Sequence, residues 1–145
     1  MLERKFTSFL EHFLTEEPNK ILLVNGARQI GKSYIIRYVG QKLFTHFVEI
    51  NLKEDVDGDK VFADVRSTND LYMRLSNFYS SPLGDKKDTL VFLDEIQSYP
   101  HLMTMLKFLN QESRYRFIAS GSQLGVALSQ SPSVPLGSVT MEQMY

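Results

Sequence analysis

Eight consecutive residues constrain this chain more than any others. Gly26-Ala27-Arg28-Gln29-Ile30-Gly31-Lys32-Ser33 reads G-x-x-x-x-G-K-S, the pattern of a phosphate-binding loop. Two fixed glycines, a lysine and a Ser or Thr meet at this spacing by chance in roughly one chain of this length in a few hundred. The flanks sharpen the match. Lys20 to Asn25, K-I-L-L-V-N, is a short apolar run that predicts a buried strand, and Ser33 to Leu43 predicts a helix. Gly26 and Gly31 allow a tight turn and a close backbone approach to an anion. The N–H groups of the turn and of the new helix then converge, with the helix dipole behind them, on negative charge. The predicted nucleotide-binding set is Gly26, Ala27, Arg28, Gln29, Ile30, Gly31, Lys32, Ser33 and Tyr34. Lys32 is placed to reach the β and γ phosphates and Ser33 to ligate Mg²⁺, with ATP as the ligand.

Thr89 to Ile96, T-L-V-F-L-D-E-I, is the second informative stretch. Leu90 to Leu93 are apolar without interruption, as in a strand of a parallel sheet buried on both faces. Two carboxylates close the run. Burying them is costly unless they have a task. With one strand and one helix between it and Lys32, the run reads as a Walker B strand: Asp94 for the metal shell with Ser33, and Glu95 as the catalytic residue, with Lys32, acting on water. An adjacent Asp-Glu pair also points to the P-loop branch in which the Walker B strand is not beside the P-loop strand. Arg116 to Ser122, R-F-I-A-S-G-S, predicts the strand that separates them, with Ser120 or Ser122 as a polar sensor near the γ-phosphate.

The remaining elements frame these two. Residues 2–16 carry Phe6, Phe9, Leu10, Phe13 and Leu14 on one helical stripe, which predicts a helix packed on the flank of a sheet. Thr45 to Leu52 predicts a strand. Thr68, Asn69 or Asp70 is expected to cap a helix carrying Leu71, Leu75, Phe78 and Tyr79, and a further helix follows Pro100 with Leu102, Met105, Leu106 and Leu109 inward. Leu124 to Leu128 reads as a short helix, Ser129 to Pro135 as a loop, and Ser138 to Tyr145 as a fifth strand. Asp55, Asp57 and Asp59 do not make a calcium loop, because counting from Asp55 the glycine, Gly58, is fourth where the loop needs it sixth, and Arg66 is twelfth where the loop needs Glu. His12, His46 and His101 show no ligand spacing.

Composition excludes several classes. Without cysteine there is no disulfide framework and no thiolate metal site. A net charge of −1 gives no bulk electrostatic case for nucleic acid or membrane, although Arg37-Tyr38 and Arg114-Tyr115-Arg116 interleave basic and aromatic residues. No apolar run is long enough to span a bilayer, and a cytoplasmic protein is expected. After Arg116 there is no Lys or Arg, so only Arg28, Arg114 and Arg116 remain as arginine-finger candidates within the chain.

N-G-A-R-Q-I-G-K-S (25–33), L-D-E-I-Q (93–97) and A-S-G-S (119–122), followed by Leu124 and a Ser/Pro-rich loop, resemble the AAA-type ATPase domain of bacterial and archaeal proteins catalogued as AAA family fourteen. The resemblance covers essentially the whole chain. It implies an α/β P-loop NTPase three-layer sandwich: a parallel five-stranded sheet of order 5-1-4-3-2, helices on both faces, and ATP and Mg²⁺ as ligands. Members of the family usually continue into a C-terminal region, so residues 1–145 are expected to form the ATP-binding core without the lid, with a protein partner or self-association through parts outside this chain. Gly137-Ser138 stands where many members have Gly followed by Arg or Lys. The expected activity is Mg²⁺-dependent ATP hydrolysis. The alternatives are a nucleotide-dependent switch with negligible hydrolysis, a nucleic-acid-stimulated ATPase and, more weakly, a small-molecule kinase.

Overall fold

A computed structural model describes residues 2–16, 20–26, 31–53, 61–79, 83–121 and 139–144. The expected short helix at 124–128, the Ser/Pro-rich loop and the acidic stretch around Asp55, Asp57 and Asp59 lie outside the described residues, as do Ala27, Arg28, Gln29, Ile30 and Ser122.

Every residue of β3 (Thr89–Asp94) and of β4 (Arg116–Gly121) is buried, which is why Leu90 to Leu93 and Phe117 to Ala119 are apolar without interruption. They form the centre of a five-stranded sheet with β1 (Ile21–Gly26), β2 (His46–Asn51) and β5 (Val139–Met144). Its order is β2-β3-β4-β1-β5, which is the expected 5-1-4-3-2 read from the other edge. All four pairings are parallel.

Alternation along the strands divides the core in two. Leu22 and Val24 of β1, Leu90 and Phe92 of β3 and Ile118 of β4 face α1 (Leu2–Glu16) and α2 (Lys32–Leu43), meeting Phe6, Leu10, Phe13, Leu14, Ile35, Ile36 and Val39. Ile21, Leu23, Val91, Leu93, Phe117 and Ala119 face the other way, onto α3 (Thr68–Phe78) and α4 (Pro100–Glu112). Each fully buried Leu or Phe contributes roughly 1.5–3 kcal/mol to holding its layer. The α1 stripe is therefore a packing face, as its periodicity implied.

Three local expectations need correction. The cap of α3 is Ser67, whose hydroxyl accepts from the Asp70 N–H at 3.1 Å; Thr68, Asn69 and Asp70 already lie in the first turn. Asp70 instead pairs with Arg74 at 3.1 Å. β3 ends at Asp94, because Glu95 turns out of the strand into a left-handed conformation and a single 3-10 turn, Ile96–Ser98, leads to α4. Arg116 is buried at the carboxyl end of α1, donating to the carbonyls of Phe13 and Leu14 at 3.3 and 3.1 Å with its guanidinium over the Phe13 ring. Its planar fork satisfies helix-end carbonyls that have no partner within the helix. It is a structural cation, neither an arginine finger nor a nucleic-acid contact. Arg114 lies over the rings of Tyr72 and Tyr115, before the start of β4 and so at the end of the sheet away from the phosphate loop.

Candidate functional site

The site begins where β1 ends. Gly31 caps α2 with φ 73°, a left-handed backbone that an L side chain adopts only at a cost, while a Cβ there would meet no described atom within 4 Å. The glycine is needed for its backbone conformation rather than for space. Lys32, the first residue of α2, is almost completely buried at 1% exposure, and its Nζ donates to the Gly121 carbonyl at 3.3 Å. That contact links the loop to the end of β4, the strand lying between β1 and β3.

Ser33 reaches further across the sheet. Its Oγ donates to Asp94 Oδ2 at 2.9 Å. The other carboxylate oxygen, Asp94 Oδ1, accepts from Ser120 Oγ at 2.5 Å and from the Glu95 N–H at 2.9 Å. Asp94 is only 8% exposed and Ser120 is fully buried. Three donors aimed at one buried carboxylate hold it in a fixed orientation. Ser120 thus stands where the strand order predicted, with its hydroxyl directed at Asp94.

Glu95 is buried at 5% exposure and has φ 58°. A non-glycine residue in this region costs about 1–3 kcal/mol and persists only where its surroundings over-determine it. Gln97 Nε2 donates to Glu95 Oε2 at 2.6 Å. Sequence reasoning used Gln97 only as part of the D-E-I-Q resemblance and did not single it out. The Gly121 carbonyl was likewise missed, because a backbone acceptor leaves no mark in a sequence.

A cavity of about 490 Å³ opens beside Gly31, between α1 and α2, bordered by Arg4, Thr7, Ser8, Tyr34 and Tyr38. Tyr34 is 68% and Tyr38 50% exposed, one helical turn apart. Arg37, between these tyrosines in α2, is tied to Glu49 of β2 by two hydrogen bonds at 2.7 and 2.9 Å. Among the described residues no three His, Cys, Asp or Glu side chains group to hold a metal, and no helix is long and apolar enough to cross a membrane. His46 packs edge-on against Tyr79 and His101 lies against Tyr99, as packing residues do.

A family profile described as an AAA domain matches residues 18–145. The chain belongs to this AAA family. Membership makes it a nucleotide-binding domain of the ATPase type. No curated protein matches its sequence. Among solved structures, the ORC1 protein of Aeropyrum pernix, determined in complex with DNA, is similar with a TM-score of 0.61 at 19% identity, over 99% of the AAA chain and 44% of the other. PCH-2 of C. elegans is similar with a TM-score of 0.57 at 13% identity, over 98% and 42%. At these identities the likeness is one of fold. The AAA chain spans less than half the length of either structure.

Proposed function

We propose that this AAA domain binds ATP with Mg²⁺ and hydrolyses the β–γ phosphoanhydride. The observation that carries the reading is the Asp94 carboxylate, which joins Ser33 of the loop helix to the acidic end of β3 across Ser120 of β4. The bridge supports a reading in which the start of α2, a metal-binding carboxylate and Glu95 act together.

The donor set fits Mg²⁺. The Ser33 hydroxyl and the Asp94 carboxylate are hard oxygen ligands 2.9 Å apart, and Mg²⁺ is ordinarily held by one or two carboxylates together with substrate phosphates. Ser33 and Asp94 would hold it, and when bound it would neutralise phosphate charge during the transfer. The chain's own groups do the rest. The N–H groups at the start of α2 meet the phosphates, and Lys32, buried beside them, reaches the transferred group. Glu95 orients a water and accepts its proton as the water oxygen bonds to the γ-phosphorus. The bond from that phosphorus to the β–γ bridging oxygen breaks, and ADP and phosphate leave. Ser120 acts as a sensor through Asp94, by ordering the carboxylate. The tyrosine-bordered cavity beside Gly31 takes the base end of the nucleotide.

Single-turnover hydrolysis tests this. Glu95→Gln should keep nucleotide binding and lower the rate by about 10²–10⁴-fold, the usual worth of an acid–base group. Equal turnover by the two proteins removes Glu95 from the mechanism.

A second reading has a specific observation behind it. Of the arginine-finger candidates, Arg114 and Arg116 are both committed to contacts at the other end of the sheet, and Arg28 lies outside the described residues. That favours a domain that binds nucleotide as a switch and turns over slowly until a partner or a second copy supplies a cation. Single-turnover rates that rise with protein concentration point to a second copy, and rates that rise on adding DNA or RNA point to a nucleic-acid-stimulated ATPase.

A further inference from the structure

Glu95 is held by a residue that the steps above do not use. Gln97 lies in the 3-10 turn directly after Glu95, and the turn is closed by the Ser98 N–H donating to the Glu95 carbonyl at 3.0 Å. The turn brings the Gln97 amide back onto the side chain two residues before it, with Nε2 2.6 Å from Glu95 Oε2. Residues two apart do not face each other on a helix of normal pitch; here the left-handed backbone at Glu95 and the 3-10 turn after it set the Gln97 amide beside the Glu95 carboxylate.

The other end of the same amide has the opposite circumstance. Gln97 Oε1 is buried and meets no donor among the described residues. The orientation is nevertheless determined, because a flipped amide would set its oxygen against the Glu95 carboxylate. A methionine of similar size would fill the space without burying an unsatisfied carbonyl, so packing alone does not account for a glutamine here. What a glutamine can do and a methionine cannot is donate to Glu95.

We propose that Gln97 is a positioning residue for the hydrolytic step, fixing the Glu95 carboxylate in the orientation that addresses the attacking water. The proposal rests on the hydrolytic reading above. It treats the Glu95–Gln97 pair as a unit, in which Gln97 orients a group that acts on water and itself touches neither water nor nucleotide.

The test is single-turnover hydrolysis of MgATP by Gln97→Met, in the wild-type and the Glu95→Gln backgrounds, alongside the Kd for MgATP and the thermal midpoint of each protein. In the wild-type background the rate should fall by about 10- to 100-fold, as for partners that orient a catalytic ligand. The Kd should stay at the wild-type value, and the midpoint should hold or rise because the unsatisfied carbonyl is gone. In the Glu95→Gln background the same substitution should change nothing, since residues that act as a unit are non-additive. Gln97→Glu keeps the shape but replaces the donor by a like charge, and it should lose at least as much rate. An equal loss in both backgrounds, or wild-type rates for Gln97→Met and Gln97→Glu while Glu95→Gln is slow, overturns the role of Gln97 and leaves the hydrolytic reading standing. Wild-type turnover by Glu95→Gln overturns both.

Discussion

Asp94 is the residue on which the site converges. It receives the Ser33 hydroxyl on one carboxylate oxygen, and the Ser120 hydroxyl and the Glu95 N–H on the other. Hydrogen bonds to an ionised group are worth about 1.5–3 kcal/mol, roughly twice a neutral pair. Ser120→Ala removes one of them from a buried position with little change in volume. Chemical denaturation should report a loss of about 1.5–3 kcal/mol. The Mg²⁺ concentration for half-maximal ATP binding should rise by about 10-fold or more, as when any partner of a metal ligand is lost. An unchanged Mg²⁺ requirement would separate Ser120 from the metal site and leave it a core hydroxyl. At this scale the sequence was legible where chemistry and spacing coincide, as at Lys32, Ser33, Asp94 and Ser120. It named Glu95 but not the left-handed turn there, which no glycine marks, and it did not single out Gln97, whose contact depends on that turn.

Among the elements, the strands were the most legible. A strand buried on both faces must be apolar throughout, and Leu90 to Leu93 could hardly be anything else. Helix ends were less so. Ser67-Thr68-Asn69-Asp70 offers four good capping residues in a row, and only the backbone decides among them. Ser67, with extended φ and ψ, is the one whose hydroxyl reaches an orphan N–H. Ser67→Ala should therefore cost about 0.5–2 kcal/mol in chemical denaturation. Asn69→Ala, two positions inside the cap, should stay within about 0.5 kcal/mol of wild type. The reverse order would assign the cap to the wrong residue. Arg116 shows why a long-range contact escapes such reading. An arginine at the start of a strand reads as exposed, and its burial becomes intelligible only once the α1 carbonyls of Phe13 and Leu14 are brought to it by packing.

For the whole molecule, the order β2-β3-β4-β1-β5 is the decisive fact. It sets β4 between the loop strand and the acidic strand, so that Val24 pairs with Ser120 and Asn25 with Gly121. The order itself came from the family resemblance, since hydrophobic pattern says that a strand is central but not which neighbours it takes. Once it is in place, Lys32 reaches the end of β4 and Ser33 reaches beyond it to β3, which brings the start of α2 and the Asp94 carboxylate together. The central claim is that this site binds a magnesium nucleotide through Lys32 and its loop. Calorimetric titration of the chain with ATP in the presence of Mg²⁺, with Lys32→Ala beside it, measures that directly. The wild-type chain should bind one nucleotide, and Lys32→Ala should lose about 2–5 kcal/mol of binding free energy, the cost of removing one partner of a buried charge pair. No binding by the wild-type chain, or equal binding by the two, would contradict the account.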